Sequence, residues 1–399
     1  MEKMDANRIR GMGAFLAARI ANPFLRIKPR GGRLPFNTDA PVRGYLHTAF
    51  PTGILTSRAP LDGPALNYHL QLFFPAAKLT AAGQRAHVRF LPSLEFHDYA
   101  ALGYLTIKPW QAGELLPQGA ARMAQALVDI IGSGGYVHAY INEFFMPAHG
   151  CFLRQHFRHS TLLVGYEPAA RSFIHARYQR DGAFRLGKIP ARVFIESLRL
   201  EKYGIQKKGS EVLLEAIRPA AELPPAVDPG LIQRQLRAYR EGTDNADDYE
   251  ADGPYAIGAS RAVRLADQRG QYGRAVYDSF RRYFEGFGQK SWPLDLRATR
   301  TLLEHKQMVQ RALQRASRDR RQLRLADEYG ALIPLAKRLH LTALAMQLGA
   351  APPAAGPPAG LLDELETTEH RILGDFLGAQ DEVRPDQAPA PVIRVGPGR

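Results

Sequence analysis

Apolar positions recur at different spacings along the chain, and the spacing predicts the elements. In "QGAARMAQALVDIIGSGG" (118–135), Met123, Leu127, Ile130 and Ile131 fall on one side of a helix, which Gly132 and the Ser-Gly-Gly after it stop. "YVHAYINEFF" (136–145) and "STLLVGYE" (160–167) are short, apolar and rich in β-formers, the composition of buried strands. "RSFIHARYQ" (171–179) follows across a short connection, so it is expected to form a hairpin with the strand before it. "IPARVFIESLRLEKYG" reads as a helix with Pro190 near its start and Gly204 past its end, and "SEVLLEAIRP" as a last strand. Helix, strand, hairpin, helix and strand in that order predict an α+β layer.

From about residue 223 helical spacing takes over. "ELPPAVDPG" is a linker in which Asp228 and Pro229 open a helix as cap and first residue. Helical stretches are expected at 229–241, 254–268, 272–286, 295–322 and 325–348, with another at 361–378 after "GAAPPAAGPPAG". The expected organisation is an α+β domain over 1–222, an all-α domain over 223–380 and a disordered tail over 381–399. Before residue 130, "LNYHLQLFFPA" and "HVRFLPSLEF" are apolar runs punctuated by Pro and Gly, without visible repeats.

Composition narrows the function. The 399 residues are 45% hydrophobic and 23% charged, the balance of a globular protein. One cysteine excludes an intramolecular disulfide framework and a multi-cysteine zinc module. Arg19 interrupts the apolar stretch near the N-terminus, a poor secretory signal, and no run is long enough to span a bilayer. A cytoplasmic protein is the expectation. The net charge of +14 draws acidic proteins, nucleic acids or anionic surfaces.

The chemistry-bearing residues concentrate in "CFLRQHFRHSTLLVGYE" (151–167), which holds the single cysteine and two histidines three apart. His159 stands at the entrance of a buried strand, where a rigid support and an open side suit a general base. The stretch from "YVHAYINEFF" to "FIHARYQ" resembles the His half of papain-like folds of the bacteriocin-processing peptidase type. It is most similar to the group around butirosin biosynthesis protein H, found in antibiotic and nonribosomal-peptide gene clusters. The resemblance covers roughly residues 130–215 and implies a papain-like domain followed by a helical one. It further implies an acyltransferase in which His159 is the base and the acyl donor is the phosphopantetheine of an acidic acyl or peptidyl carrier protein, with no cofactor of the chain's own.

The family's nucleophile is a cysteine near the N-terminus, at a helix start, yet residues 1–150 contain none. "GYLHTAFPTGILTSRAP" offers Thr48, Thr52 and Ser57 in its place, and the return strand, where the third member belongs, offers His175 and Arg177 without a carboxylate. Cys151, with His156 or His159 as its base, is the alternative nucleophile; a packed, inert loop cysteine is the plainer reading. His149, Cys151, His156 and His159 have spacings a zinc site uses but match no metal motif, and no metal is expected. In 296–324, nine basic residues face Glu304 and Asp319, and Arg311, Arg315 and Arg318 follow helical spacing suited to an acidic partner helix. A solvated face is the bland account of that run, and Leu302, Leu303 and Met308 are expected to pack the same helix. Three functions remain open: acyl or peptidyl transfer through His159, a catalytically degenerate binding scaffold, and a nucleic-acid-binding protein carried by charge alone.

Overall fold

The computed structural model describes residues 32–58, 64–75, 88–91, 94–111, 118–147, 149–179, 182–206, 213–221, 228–245, 270–288, 294–349 and 358–381. The expected helix at 254–268, the residues around Arg19 and all but the first residue of the expected tail lie outside them. The chain forms two compact units, one drawn from Met1–Thr38 and Ile107–Arg218, the other from Asp39–Thr106 and Pro219–Arg399. Helices and antiparallel sheets are both present, an α+β composition.

The first unit is a seven-stranded sheet in the order Leu105–Gln111, Leu213–Pro219, Tyr136–Asn142, Arg158–Glu167, Ser172–Tyr178, Phe184–Pro190, with the short strand Gly32–Arg33 paired to Arg158–Glu167. The predicted hairpin forms, with Leu162 opposite Ala176 and Tyr166 opposite Phe173. Strand periodicity places Val137, Ala139, Ile141 and Leu163 on one face, where they pack under the helices Ala120–Gly132 and Ala191–Ser197. Gly165 has a backbone reason. A Cβ there would lie 2.8 Å from the Gly32 carbonyl oxygen and 3.1 Å from Arg33 Cα, so only glycine lets the short strand approach this closely.

The second unit holds helices Leu46–Leu55, Pro229–Glu241, Val276–Gly288, Leu296–Ala316, Arg320–Tyr329, Leu332–Gln347 and Pro358–Asp381. It also holds a three-stranded antiparallel sheet ordered Gly270–Tyr272, Gln71–Pro75, Arg89–Leu91, so this unit is not all-α. The structure therefore divides the chain differently from the expected boundary at 222. Every residue of Gln71–Pro75 is buried, and a strand apolar on both faces needs cover on both. Leu72, Phe74 and Phe90 share one core with Ile232, Phe280 and Leu302 from the later helices, which is why 39–106 belongs with them.

Asp228 caps Pro229–Glu241 as predicted, its carboxylate accepting from the Gly230 and Leu231 amides. The single helix expected over 295–322 is two. Ser317 takes an extended backbone with ψ 132°, and Asp319 starts a new helix by accepting from the Gln322 amide 2.8 Å away. Arg311 and Arg315 are exposed on the first helix, whereas exposed Arg318 lies in the connection. The three do not form one continuous helical face.

Candidate functional site

At one end of the first unit's sheet, polar side chains converge on Glu143. Ile141 is the last apolar residue of its strand on the helix-covered face, and its cross-strand partner is His159. The strand then yields to a single 3-10 turn, Glu143–Phe145, opened by Asn142, whose side chain accepts from the Phe144 amide. That turn swings the Glu143 carboxylate back beneath His159. The connection over it is strapped down by the Leu153 amide donating to the Phe144 carbonyl at 3.0 Å and the Glu143 amide donating to the Phe157 carbonyl at 2.9 Å. Leu153 takes φ 54°, a left-handed conformation costing a branched residue about 1–2 kcal/mol, so this loop is held in place against local preference.

The Glu143 oxygen Oε1 lies 2.6 Å from His159 Nδ1 and 2.7 Å from His149 Nδ1. Burial pushes this carboxyl upward, but hydrogen bonds and charge from His149 and His159 outweigh it and lower its pKa from the usual carboxylate value to about 2. A charged carboxylate only accepts, so each facing Nδ1 carries the proton. The His159 side chain is 42% exposed, with Nε2 on the ring edge away from Glu143. An exposed imidazole oriented by a buried carboxylate is the arrangement that general acid–base chemistry uses.

Cys151 shares the same carboxylate. Its thiol is pushed up by burial and then by the charge of Glu143, to which it hydrogen-bonds. That environment keeps the sulfur protonated, the reverse of what activates a nucleophilic cysteine. His156 is placed differently from His159. Its Nδ1 accepts from the Asn142 amide nitrogen at 2.8 Å, and its ring stacks on Tyr203 and Phe144, with centroids 4.8 and 4.4 Å away. It packs the base of the loop.

Neither sequence candidate for the third role takes it. His175 is buried against the Thr161 hydroxyl at 3.0 Å, and burial, with the charge of Arg177 next, holds it neutral well below the usual range. Arg177 donates to the Pro147 carbonyl at 3.0 Å. The orienting carboxylate comes instead from Glu143, on the preceding strand's exit rather than on the return strand. Its signal in the sequence is "INEFF", two polar residues breaking an apolar run, which reads as strand continuation when only periodicity is scored. His149 Nε2, His175 Nε2 and Arg177 Nε are buried with no protein hydrogen-bond partner, a density of unsatisfied nitrogens that stability alone does not favour.

Thr48, Thr52 and Ser57 belong to the second unit. Their hydroxyls donate to the carbonyls of Tyr45, Thr48 and Ile54 at 2.9, 2.6 and 2.7 Å, along the helix Leu46–Leu55 and its end. Hydroxyls bonded this way serve the helix and not chemistry. Among the described residues no group of three or more His, Cys, Asp or Glu side chains is arranged to hold a metal ion. Among those residues, too, no helix is long and apolar enough to cross a membrane.

A second polar cluster, in the second unit, was not legible in the sequence. Lys306 donates to both oxygens of Glu369 at 2.6 and 2.7 Å, and Glu369 also accepts from the hydroxyls of Tyr239, Tyr277 and Tyr329. His305, pushed down to about 3 by burial and then by Lys306, holds the Leu70 carbonyl through Nε2. Lys306 and Glu369 are 0% and 2% exposed. With no opening to solvent, this cluster is a buried structural network rather than a site for substrate.

No protein-family model matches the chain, and no curated protein matches it.

Proposed function

We propose that the first unit is a papain-like domain in which His159 acts as a general base for transfer of an acyl or peptidyl group, in a cytoplasmic protein of bacterial specialised-metabolite biosynthesis. The observation that carries the reading is the 2.6 Å contact between Glu143 and Nδ1 of an imidazole whose side chain is 42% exposed. The reaction is acyl transfer from a carrier-protein thioester to an amine. His159 Nε2 takes the amine proton as the nitrogen attacks the carbonyl, and Glu143 stabilises the resulting imidazolium. The C–S bond then breaks, the proton passes to the departing thiolate, and amide and thiol are the products. No covalent enzyme intermediate is required, in keeping with the protonated state of Cys151. Phe157, 44% exposed with its ring 5.7 Å from His159, offers an apolar contact for the acyl chain. Exposed Arg311, Arg315 and Arg318 in the second unit support an acidic carrier protein as donor.

The test is amide formation from an acyl N-acetylcysteamine thioester and a panel of primary amines, followed by mass spectrometry. His159→Gln should slow it by about 10²–10⁴, the usual worth of a positioned base. Equal rates for wild type and His159→Gln would refute the base assignment.

A second reading, a catalytically degenerate scaffold that only binds the carrier protein, is favoured by the raised thiol of Cys151. It expects binding of a carrier protein without turnover of any thioester. It also expects Cys151 to alkylate with iodoacetamide at neutral pH no faster than a free thiol, which a fast reaction would contradict. Nucleic-acid binding keeps only the charge argument.

A further inference from the structure

A separate cleft of about 480 Å³ opens on the first unit, between its helix Ala120–Gly132 and the edge of its sheet. Its origin is in the side-chain sizes. Arg122, Gln125, Ala126, Asp129, Ile130 and Ser133 recur at helical spacing and form one stripe of the helix. Lys108 and Trp110 lie two apart on the edge strand, and Ala216 and Arg218 two apart on its neighbour, so each pair shares a face. Ala126 and Ala216 are too small to fill the space between the layers, and a groove remains with Ile130 and half-buried Trp110 as its apolar surface.

Its charges are the second observation. Lys108, Arg122 and Arg218 come from three different elements and line one cleft, where Asp129 is the one carboxylate among the described lining residues. Among the described residues neither Lys108 nor Arg122 has an ion-pair partner. Arg218 is aimed by a 2.7 Å hydrogen bond to the Ser133 hydroxyl, and Asp129 is engaged by Gln125 at 2.9 Å. Lys108 and Arg122 therefore keep the described lining of the cleft basic beside an indole.

The geometry points to a binding site for a small phosphate monoester with a flat apolar body. The phosphate carries roughly two negative charges near neutral pH, opposite in sign to Lys108 and Arg122, and the body meets Trp110 and the alanine floor. This site stands independently of the Glu143 cluster and of the reading given to it.

The experiment is calorimetric titration of the full chain with 1-naphthyl phosphate, with 1-naphthol and inorganic phosphate as controls. The phosphate ester should bind at least tenfold more tightly than either control. Lys108→Ala/Arg122→Ala, which removes only exposed side chains, should weaken it by at least tenfold, and Ala126→Leu, which fills the groove, by a similar factor. Circular dichroism shows that each variant is folded, and should Ala126→Leu not fold, the double variant decides alone. No saturable binding up to about 1 mM overturns the proposal, as does binding that the double variant leaves unchanged or that inorganic phosphate matches.

Discussion

Replacing Lys306 with Met should show how strongly the second unit depends on one buried ion pair. The ammonium donates to both Glu369 oxygens at 2.6 and 2.7 Å and to the Tyr239 hydroxyl at 3.0 Å, and it lies 5.1 and 5.2 Å from the Tyr239 and Tyr277 ring centroids. Met keeps most of the side-chain length and removes the charge. Glu369 is then left buried with its three phenol donors and no counter-ion. Removing one partner of such a pair costs about 3–5 kcal/mol. At roughly 2–4 °C per kcal/mol for a unit of this size, the melting temperature should fall by roughly 6–20 °C. A second substitution isolates the cause. Lys306→Met/Glu369→Gln removes the charge yet leaves an oxygen for the phenols, so it should recover about half the loss or more. The difference between the two variants should also narrow as pH falls. Without Lys306, burial raises the Glu369 carboxyl above its unfolded value, so its penalty is present at high pH and relieved once it protonates. Scanning calorimetry of wild type and both variants at pH 5 and 8 reads all three effects. A loss under about 1 kcal/mol for Lys306→Met, or a double variant no better than the single, would refute the reasoning.

Two further outcomes follow from the same physics. Glu143 has a folded-state pKa of about 2, below its ordinary value, so its contribution is fully present above about pH 4.5 and lost as pH falls towards 2; the urea midpoint of Glu143→Gln should therefore lie below wild type at pH 6, by less as pH falls below about 4.5, and converge on it near pH 2. Changing Arg311, Arg315 and Arg318 together to Ala should weaken affinity for an acidic carrier protein by roughly three- to a hundredfold at low salt, and less at physiological salt, because exposed pairs contribute about 0.2–1 kcal/mol each and are screened; equal, salt-independent titration curves would mark the run as a solvated face.

What the sequence made legible followed from local physics. Strand alternation and β-branched runs placed Tyr136–Asn142 and the hairpin after it, and the Asp228-Pro229 pair marked a helix start to the residue. His159 was legible because a strand entrance is a local feature, and Cys151 because it is the single cysteine. The strand Phe184–Pro190 escaped because "FRLGKIP" mixes charge and glycine into its alternation. Asp319 reads in the sequence as one more charge on a long helix, although it caps the start of a second helix after Ser317 has ended the first. Glu143 was hidden because a 3-10 turn that reverses a side chain has no periodicity of its own. Lys306 and Glu369 stand 63 residues apart, and only the packed tertiary structure brings them together. The membership of 39–106 in the second unit is likewise a long-range fact, set by a strand that needs cover on both faces.

The protonation pattern of His159 reads its role as a base most directly. Nitrogen-15 NMR of histidine-labelled protein, with His159→Gln assigning the resonances, distinguishes a protonated ring nitrogen from one with a free lone pair. At a pH where the ring is neutral, the proton should sit on Nδ1, facing Glu143, with a bare Nε2 able to accept a substrate proton. Glu143→Leu, which leaves no acceptor beside Nδ1, should remove that preference. A neutral ring carrying its proton on Nε2, or a tautomer unchanged by Glu143→Leu, would contradict the assignment of Glu143 as the residue that positions His159 as a base.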